Sequence, residues 1–263
     1  MFNFCSLYSG SSGNSLFIES DRTKILVDCG VSCKKISEAL IDLDTSLEEI
    51  DAIFVTHEHL DHVQSLGMIS KKYDIPVYTN FETLNAMPKQ KEKIDIKNQK
   101  LFCIGDEIKI GDLCISSFKI PHDAANPCGY NIFNNSKKLT IATDLGHMSQ
   151  ELLDNMKGSK FILLESNYEP ELLKYSKYPY MLKQRIAGPT GHLPNSLAGK
   201  TISHLVNYDL EEVLLGHLSK ESNMPEIAYQ TVIEELHNNN VDTDKLKLAV
   251  ASRDKHSKLI KIS

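Results

Sequence analysis

The chain has 263 residues, of which 41% are hydrophobic and 24% are charged, a composition typical of a globular protein with a sizeable core. Its 29 basic and 35 acidic residues leave a net charge of −6, which excludes a charged disordered segment and a polycationic nucleic-acid coat. Any site for nucleic acid must therefore be local.

The amino-terminal residues and the cysteines indicate the cellular setting. Residues 1–6 have no basic start, and no apolar run in the sequence approaches the roughly 18 residues that span a membrane. The six cysteines include no Cys-x-x-Cys pair, and we expect Cys29 and Cys33 to be small residues in or near the core. We therefore expect a cytoplasmic protein with reduced thiols and no membrane contact.

The first third of the chain alternates short β-rich runs with turns and contains a β-α-β unit. The predicted strands in this part are 2–8, 15–18, 24–28, 52–56 and 76–79. One predicted helix begins at Ser32 and has Ile36, Leu40 and Leu43 on one face. Two more predicted helices cover 63–73 and 81–87. The charged stretch 89–100 is typical of a solvated loop.

The remainder begins as a meander of strands and then returns to alternating helices and strands. The predicted strands are 112–120, 129–133, 138–143, 161–165 and 211–215. The predicted helices are 149–156, 169–175, 178–186, 194–206 and a closing helix capped by Asn223. Two β-rich segments, each accompanied by helices, predict two packed sheets with helices outside, in one α/β domain over residues 1–263.

Three histidines and a carboxylate are concentrated directly after the strand that ends at Thr56, where residues 57–62 read His-Glu-His-Leu-Asp-His. Imidazole nitrogens and carboxylate oxygens are ligands that suit zinc, manganese or iron. A loop between a strand and a helix allows alternating side chains to point to one centre while the next pair points to a second. The spacing therefore favours two metal ions over scattered surface histidines.

Three further candidate ligands follow predicted strands in the same way: His122, Asp144 and His217. Taken alone, each is more often a capping or turn residue. Because all three share their position at a strand end with the first cluster, we expect them to join it. The predicted metal ligands are then His57, His59, Asp61, His62, His122, Asp144 and His217.

Short segments spread along most of the chain carry a family resemblance. They are Ser-Gly-Ser-Ser-Gly-Asn at 9–14, Ile-Leu-Val-Asp-Cys-Gly at 25–30, Thr-His-x-His-x-Asp-His at 56–62, Leu-Glu-Ser-Asn at 164–167, Tyr-Pro-Tyr at 178–180, Leu-Lys-Gln-Arg at 182–185, Gly-His-Leu at 191–193 and Gly-His-Leu-Ser at 216–219. The chain resembles the metallo-β-lactamase fold superfamily and, within it, the WalJ/YycJ group of bacterial proteins. That group is associated with nuclease activity, including 5′-to-3′ exonuclease activity on DNA.

The resemblance implies a four-layer αββα sandwich of two mixed sheets with a dinuclear metal site. One divalent ion (zinc, manganese or iron) would be held by His57, His59 and His122, and a second by Asp61, His62 and His217. Asp144 would bridge both ions, and Asp28 would orient the histidine loop without binding metal. A metal-bridging hydroxide would attack the phosphodiester of DNA, with Asp61 as both ligand and catalytic residue.

Two residues depart from the usual pattern of the group, and both fall in segments expected to rim the cleft. Tyr168 stands where a histidine is common, and Pro194 stands where a serine is common. The departures leave the metal set untouched and affect the fine positioning of substrate.

Residues outside the metal set are expected to complete the site. His192 is the candidate general acid for the departing 3′ oxygen, with a loop histidine bonded to the backbone as the alternative. The glycine-containing loop 9–15 either cradles a phosphate or is a tight turn. The predicted substrate-binding residues are Ser12, Asn14, Lys183, Arg185 and Ser219. Further candidates are Lys200 and Lys220 for phosphates, and Tyr168, Tyr178 and Tyr180 for bases.

The leading prediction is a metal-dependent exonuclease on DNA, with two alternatives open. One is a hydrolase of the same fold that acts on a small thioester, lactone or cyclic phosphodiester. The other is a noncatalytic protein whose metal pair is structural or sensory. The 72 residues between Asp144 and His217 are too few for the inserted domain of the β-CASP nucleases, and the lack of a signal peptide disfavours a secreted β-lactamase.

Overall fold

The computed structural model describes residues 1–262, and these form two seven-stranded sheets with helices on their outer faces. The strands are β1 (Phe2–Tyr8), β2 (Ser15–Ser20), β3 (Lys24–Val27), β4 (Ala52–Phe54), β5 (Val77–Thr79), β6 (Gln99–Leu101), β7 (Glu107–Ile110), β8 (Leu113–Lys119), β9 (Cys128–Asn134), β10 (Lys137–Ala142), β11 (Phe161–Glu165), β12 (Glu212–Gly216), β13 (Lys247–Val250) and β14 (Ile260–Lys261). The α-helices are α1 (Cys33–Ile41), α2 (Leu60–Val63), α3 (Leu66–Tyr73), α4 (Phe81–Ala86), α5 (Pro88–Lys91), α6 (Gln150–Met156), α7 (Pro170–Tyr175), α8 (Tyr180–Ile186), α9 (Asn195–Leu205) and α10 (Pro225–Asn238).

Apolar residues on both faces of the central strands produce the layered packing. In β3, Ile25 and Val27 enter the core between the sheets, whereas Leu26 packs under the helices outside the first sheet. In β11, Phe161 enters the same inter-sheet core, and Ile162 packs under the helices of the second sheet. Helices α1, α3 and α4 cover one outer face, and α6, α9 and α10 cover the other. The expected four-layer αββα arrangement is therefore confirmed.

Each sheet is mixed, and the parallel half of each positions the loops that matter for function. The first sheet has the order β14-β1-β2-β3-β4-β5-β6, parallel from β3 to β6. The second has the order β13-β12-β11-β10-β9-β8-β7, with an antiparallel meander from β7 to β10 and parallel pairing from β10 to β13. Because parallel strands end at one edge, the loops after β3, β4, β10, β11 and β12 collect there.

The chain departs from the predicted elements in four places. The predicted helix 63–73 is broken into α2 and α3, because Ser65 is drawn to the turn after β3, where its hydroxyl donates to the Val31 carbonyl at 2.6 Å. The charged stretch 89–100 contains α5 and the start of the edge strand β6. Strands β13 and β14 are short edge strands that the sequence pattern did not reveal. Met224, and not Asn223, is the residue that precedes α10.

Two further observations concern the lengths of the helices and the state of the cysteines. Within residues 1–262, no helix has the length and apolar character needed to cross a membrane. The six cysteines all carry unpaired side chains, with Cys29 fully buried and Cys33 packed at the edge of the core under the first sheet.

Candidate metal centre

The loops at the carboxyl ends of the strands bring all seven predicted ligands into one cluster. The loop after β4 carries His57 and His59 and continues into α2 with Asp61 and His62. His122 comes from the loop after β8. Asp144 lies two residues beyond the end of β10, and His217 directly follows β12. Residues that are far apart in sequence therefore meet because the two sheets place their strand ends side by side.

The first group of ligands consists of His57, His59 and His122. Nε2 of His57 lies 3.1 Å from Nδ1 of His59, and Nδ1 of His59 lies 3.3 Å from Nε2 of His122. Nitrogens bound to zinc at about 2.0–2.1 Å in tetrahedral geometry lie roughly 3.3 Å apart. The three ring nitrogens are thus spaced as ligands of a single ion.

The second group consists of Asp61, His62 and His217. Oδ2 of Asp61 lies 3.6 Å from Nε2 of His62 and 3.8 Å from Nε2 of His217. Asp144 stands between the two groups: its Oδ2 is 3.5 Å from Nε2 of His62, and its Oδ1 is 3.7 Å from Nε2 of His122. Because Oδ1 also lies 3.4 Å from Nε2 of His217, the carboxylate contacts both histidine groups, which is the placement of a bridging ligand.

Unpaired buried atoms in the cluster show that the residues fit a cation. Oδ2 of Asp144 and Nε2 of His217 are buried and have no hydrogen-bond partner among the described residues. Leaving such atoms unsatisfied costs about 1–3 kcal/mol each, more when they are charged. Both atoms face the ligand groups described above, so divalent ions would satisfy them, and the nitrogen and oxygen donors suit zinc, manganese or iron.

Charges in the cluster are matched to a cation. Burial opposes ionisation of Asp61, but the neighbouring His62 and His217 outweigh it and lower the Asp61 pKa to about 2. Asp144 is fully buried, yet the surrounding histidines hold its pKa well below the ordinary value. Burial, followed by the nearby His62, lowers the pKa of His57 well below its ordinary value. Burial opposes protonation of His62, but the nearby carboxylates outweigh it and raise its pKa to about 9. Ionised carboxylates and neutral imidazoles are the forms that bind metal, so a bound ion would displace this proton.

Three residues of the site hold left-handed backbone conformations. The φ angles are +63° at Asp28, +62° at Asp144 and +55° at His217. Residues other than glycine adopt this region at a cost, and such residues concentrate at functional sites. At each of these three positions the chain turns out of a strand and directs a side chain into the cluster. The strained backbone therefore helps to position the side chain.

Asp28 lies behind the histidine loop and is hydrogen-bonded to it. Its carboxylate accepts hydrogen bonds from the Thr56 backbone amide at 2.9 Å and from the Thr56 hydroxyl at 2.7 Å. The same carboxylate lies 2.8 Å from Nδ1 of His62. An Nδ1 held in this way turns Nε2 of His62 toward the cluster, which is the usual role of a carboxylate behind a ligand histidine.

Glu165 is the functional residue that the sequence reasoning missed. It is fully buried at the end of β11, and its Oε1 lies 2.8 Å from Nδ1 of His192 and 2.9 Å from Nδ1 of His217. Its Oε2 accepts hydrogen bonds from the backbone amides of Leu145 and Leu193. The sequence carries a signal for it, because Glu165 is a carboxylate that closes an otherwise apolar strand.

His192 lies at the wall of the metal cavity, where a general acid would have to stand. The cavity holds about 230 Å³, and its lining includes His59, Asp61, His122 and His192. The side chain of His192 is 18% exposed, and its Nδ1 lies 3.9 Å from Oδ1 of Asp144. Because Nδ1 is engaged by Glu165, the ring is held in one orientation beside the ligands.

Two serines rim the metal cavity, whereas Asn14 is buried beside a ligand histidine. Ser11 and Ser219 line the cavity, and the exposed Ser12 follows Ser11 on the same turn. Asn14 is buried, and its side-chain oxygen accepts a hydrogen bond from the Gly10 amide at 2.9 Å. Its side-chain nitrogen lies 3.1 Å from Nε2 of His62, so Asn14 contacts a ligand histidine, and its contact with substrate stays a prediction.

The predicted basic and aromatic contacts fall in different places. Arg185 lines the metal cavity and is ion-paired with Asp123, whereas Lys183 lines a separate cavity on the other side of α8. Lys200 and Lys220 are exposed and line neither cavity. Among the tyrosines, Tyr178 lines the metal cavity, Tyr168 is buried, and Tyr180 is 70% exposed beside Lys183.

Comparisons with known proteins agree with this geometry. The family model of the beta-lactamase superfamily domain matches residues 23–217. Exodeoxyribonuclease YycJ of Bacillus anthracis is 36% identical over 234 residues, which cover 89% of each chain. Exodeoxyribonuclease WalJ of Streptococcus pneumoniae is 36% identical over 237 residues, which cover 89% of this chain and 88% of that protein.

The crystal structure of the metallo-β-lactamase fold protein YhfI from Bacillus subtilis has a TM-score of 0.73, with 15% identity over 98% of this chain and 99% of that one. At this identity the likeness shows the fold alone. The family match and the two bacterial relatives go further, because both cover most of the chain. The chain therefore belongs to the beta-lactamase superfamily and, within it, to the family of bacterial proteins that includes YycJ and WalJ.

Proposed function

We propose that the chain is a cytoplasmic, dinuclear metal-dependent exodeoxyribonuclease that digests DNA from 5′ to 3′. The observation that carries the proposal is the division of seven ligands into two groups on either side of Asp144, at the floor of a cleft. The likeness to two exodeoxyribonucleases over 89% of the chain supports DNA as the substrate.

Each metal-binding residue has a role in this proposal. His57, His59 and His122 would hold one ion, and Asp61, His62 and His217 would hold the other, with Asp144 shared. When bound, two divalent ions supply a water activated at neutral pH and offset the charge that develops on a phosphoryl group. Asp61 also faces solvent, since its side chain is 28% exposed, so it stands where substrate would enter.

His192 would protonate the departing 3′ oxygen. Its ring lines the metal cavity, and Glu165 holds the ring through Nδ1 at 2.8 Å. The other ring nitrogen is then the one available to the substrate, which a general acid requires. Its position beside Asp144, with Nδ1 3.9 Å from Oδ1, supports this role.

The rim of the cavity would hold phosphate oxygens on either side of the reacting bond. Ser11 and Ser219 present hydroxyl groups, and Arg185 presents a guanidinium whose charge is shared with Asp123. Ser12, exposed on the turn of Ser11, extends this surface outward. Hydroxyl and guanidinium donors at this rim suit phosphate oxygens and leave the bases unread.

The direct test of substrate class is hydrolysis by the chain loaded with manganese or zinc. Linear DNA, RNA of the same sequence, a cyclic nucleotide and a small thioester are offered in parallel, with chelator as one control. Asp61→Ala is compared with Asp21→Ala, a matched change at an exposed aspartate paired with the chain's amino terminus. We expect metal-dependent release of nucleotides from DNA, lost in Asp61→Ala and retained in Asp21→Ala.

Other outcomes would replace the proposal. Turnover of the thioester or the cyclic nucleotide with DNA left intact would establish a small-molecule hydrolase on this fold. A chain that binds its metal and hydrolyses none of the four substrates would be a structural or sensory metalloprotein.

A further inference from the structure

A second cavity lies on the opposite side of α8 from the metal cavity. Its volume is about 460 Å³, against about 230 Å³ for the metal cavity. It is bounded by α7 and α8, and its lining is Tyr168, Pro170, Leu173, Lys174, Tyr180, Lys183, Gln184 and Ala187. This volume is in the range of about 300–1,000 Å³ that accommodates small organic ligands. We call it the α7–α8 groove.

Helix α8 is a common wall of the groove and the metal cavity. Tyr178, Leu182 and Arg185 line the metal cavity, whereas Lys183 and its neighbours on the other face line the groove. The two spaces are therefore separated by the width of a single helix, about 10 Å with its side chains. A polymer whose reacting bond lies at the ligand groups needs only one or two units to pass over α8 into the groove.

The groove combines an aromatic ring, an apolar floor and amino groups. The ring of Tyr180 is 70% exposed, and its hydroxyl accepts a hydrogen bond from Gln184 that holds it at the groove wall. Leu173 forms part of the apolar floor. Lys183 donates to the Lys174 carbonyl at 2.7 Å, so its ammonium lies over the groove with further donors to offer.

Residues 174–185, which run from the end of α7 into α8, carry a positive charge, whereas the whole chain is negatively charged. Residues 174–185 contain four basic side chains and no carboxylate, although the chain has a net charge of −6. Arg185 is neutralised by Asp123, and Lys174 is 3.7 Å from the exposed Glu171. Among residues 1–262, Lys183 has no carboxylate partner within salt-bridge distance, so the groove keeps a local positive charge that suits a phosphodiester backbone.

We propose that the α7–α8 groove binds an unpaired segment of the DNA strand outside the metal cavity, with a base stacked on Tyr180 and a backbone phosphate at Lys183. This proposal rests on the proposed function and extends it to a second contact with the same strand. An aromatic face beside a basic group is how proteins hold single strands without reading their sequence. The groove would thus favour longer strands over very short ones.

The test compares strand lengths in groove variants. The variants are Tyr180→Leu, which keeps an apolar side chain but removes the ring face, and Lys183→Ala. Tyr180→Trp and Lys183→Arg are the conservative counterparts. The controls are Tyr229→Ala and Lys71→Ala, which change the same residue types on α10 and α3. Binding of a fluorescent single-stranded dodecanucleotide is measured by anisotropy, and KM is measured for the dodecanucleotide and for a dinucleotide.

Without the groove contacts, the chain should lose its preference for longer DNA strands. Tyr180→Leu and Lys183→Ala should each raise the Kd and KM for the dodecanucleotide by about tenfold, so that the advantage of the longer strand shrinks. Lys183→Ala should also lower the salt dependence of binding by about 0.7 of a unit slope. Tyr180→Trp and Lys183→Arg should bind as the parent chain does, which a merely structural role of the two residues would not explain.

The failure of this proposal is distinct from failure of the proposed function. DNA hydrolysis with an unchanged KM and Kd in both groove variants would overturn the groove and leave the nuclease in place. DNA binding that depends on Tyr180 and Lys183, without hydrolysis, would support the groove and overturn the nuclease. A chain that neither binds nor cuts single-stranded DNA would overturn both.

Discussion

At the scale of single residues, Glu165 connects two histidines of the site through one carboxylate. Its Oε1 meets His192 and His217, while its Oε2 accepts from the backbone amides of Leu145 and Leu193. Both oxygens are therefore in use as acceptors. A glutamine has one acceptor oxygen and one donor nitrogen. Either the two histidines or the two backbone amides would then face a donor instead of an acceptor.

We predict that Glu165→Gln lowers kcat for DNA hydrolysis by about 10- to 100-fold and weakens zinc binding, because both His192 and His217 lose their fixed orientation. The measurements are steady-state kinetics and zinc titration. Glu212→Gln is the control, since Glu212 lies at the end of β12 that is remote from His217 and is paired with Lys247. Equal kinetics and zinc affinity in the two variants would contradict the role given to Glu165.

Lys138 gives a residue-scale prediction about pH. Its side chain is buried on β10 and donates to the carbonyls of Asn155 and Lys157, and burial lowers its pKa to about 8. In the unfolded chain a lysine pKa is about 10.4. Between these values the unfolded chain binds more protons than the folded chain, so this lysine makes stability rise with pH.

We therefore predict that the free energy of unfolding, taken relative to Lys138→Met, increases between pH 8 and about 10.4, by at most about 3 kcal/mol. Below pH 8 both states carry the charge, and the difference should be flat. Urea denaturation at a series of pH values measures it. A difference that falls with pH over this window would show that the folded protein does not depress the Lys138 pKa.

At the scale of elements, the metal loop depends on the close approach of the turn after β3. A Cβ built on Gly30 would lie 1.6 Å from the carbonyl oxygen of Asp61, and 2.7 Å from the Asn14 amide nitrogen. The Gly30 amide also donates to the Asn14 carbonyl at 2.7 Å. A larger residue would have to push the backbone of α2 away and move Asp61 with it.

We predict that Gly30→Ala lowers the free energy of unfolding by about 1–3 kcal/mol and reduces metal affinity. Gly105→Ala is the comparison, because Gly105 has a φ of +99° but no atom within 4 Å of a built Cβ. That variant should lose about 1 kcal/mol of stability and keep its metal affinity. Metal titration of both variants decides, and unchanged affinity in Gly30→Ala would contradict the coupling.

The sequence predicts elements well where apolar periodicity and turn residues agree. The strand 161–165 was predicted with its observed bounds, because a buried apolar run stands between clear breaks. The helix 63–73 was predicted as continuous because periodicity does not report the tertiary contacts of Ser65 with the turn after β3. The edge strand β14 has two residues and pairs with β1 across nearly the whole sequence, so no local signal reveals it.

Residues of the site are predictable where they follow a strand that the sequence marks, and not where their role depends on distant partners. Four of the seven ligand candidates form a dense cluster after one predicted strand, and the other three each follow a further predicted strand, so the sequence marks all of them. The role of Glu165 was missed because its partners, His192 and His217, lie 27 and 52 residues further along the chain. The position of Lys183 outside the metal cavity depends on which face of α8 it occupies, and this follows from packing of the helix.

At the scale of the whole molecule, the two sheets meet at the ligand groups, so metal binding should stabilise the whole fold. The first sheet supplies His57, His59, Asp61 and His62 through the loop after β4, and the second supplies His122, Asp144 and His217. A metal that binds the folded chain at 100 times its Kd adds about 2.7 kcal/mol to the free energy of unfolding.

We predict two ions per chain by metal analysis, and a Tm that rises when zinc or manganese is added and falls with chelator. Asp144→Ala should bind fewer than two ions and lose most of the metal-dependent rise in Tm, because both ligand groups share this residue. Asp254→Ala, at an exposed aspartate, serves as the control. Equal metal content and an equal rise in Tm in the two variants would rule out Asp144 as a shared ligand.

The most direct test of a 5′-to-3′ exodeoxyribonuclease is a time course on linear duplexes labelled at the 5′ end or at the 3′ end, with closed circular DNA alongside. The metal-loaded chain should release the 5′ label first as a mononucleotide, release the 3′ label last, and leave the circle intact. Early release of the 3′ label, or cutting of the circle, would contradict the account.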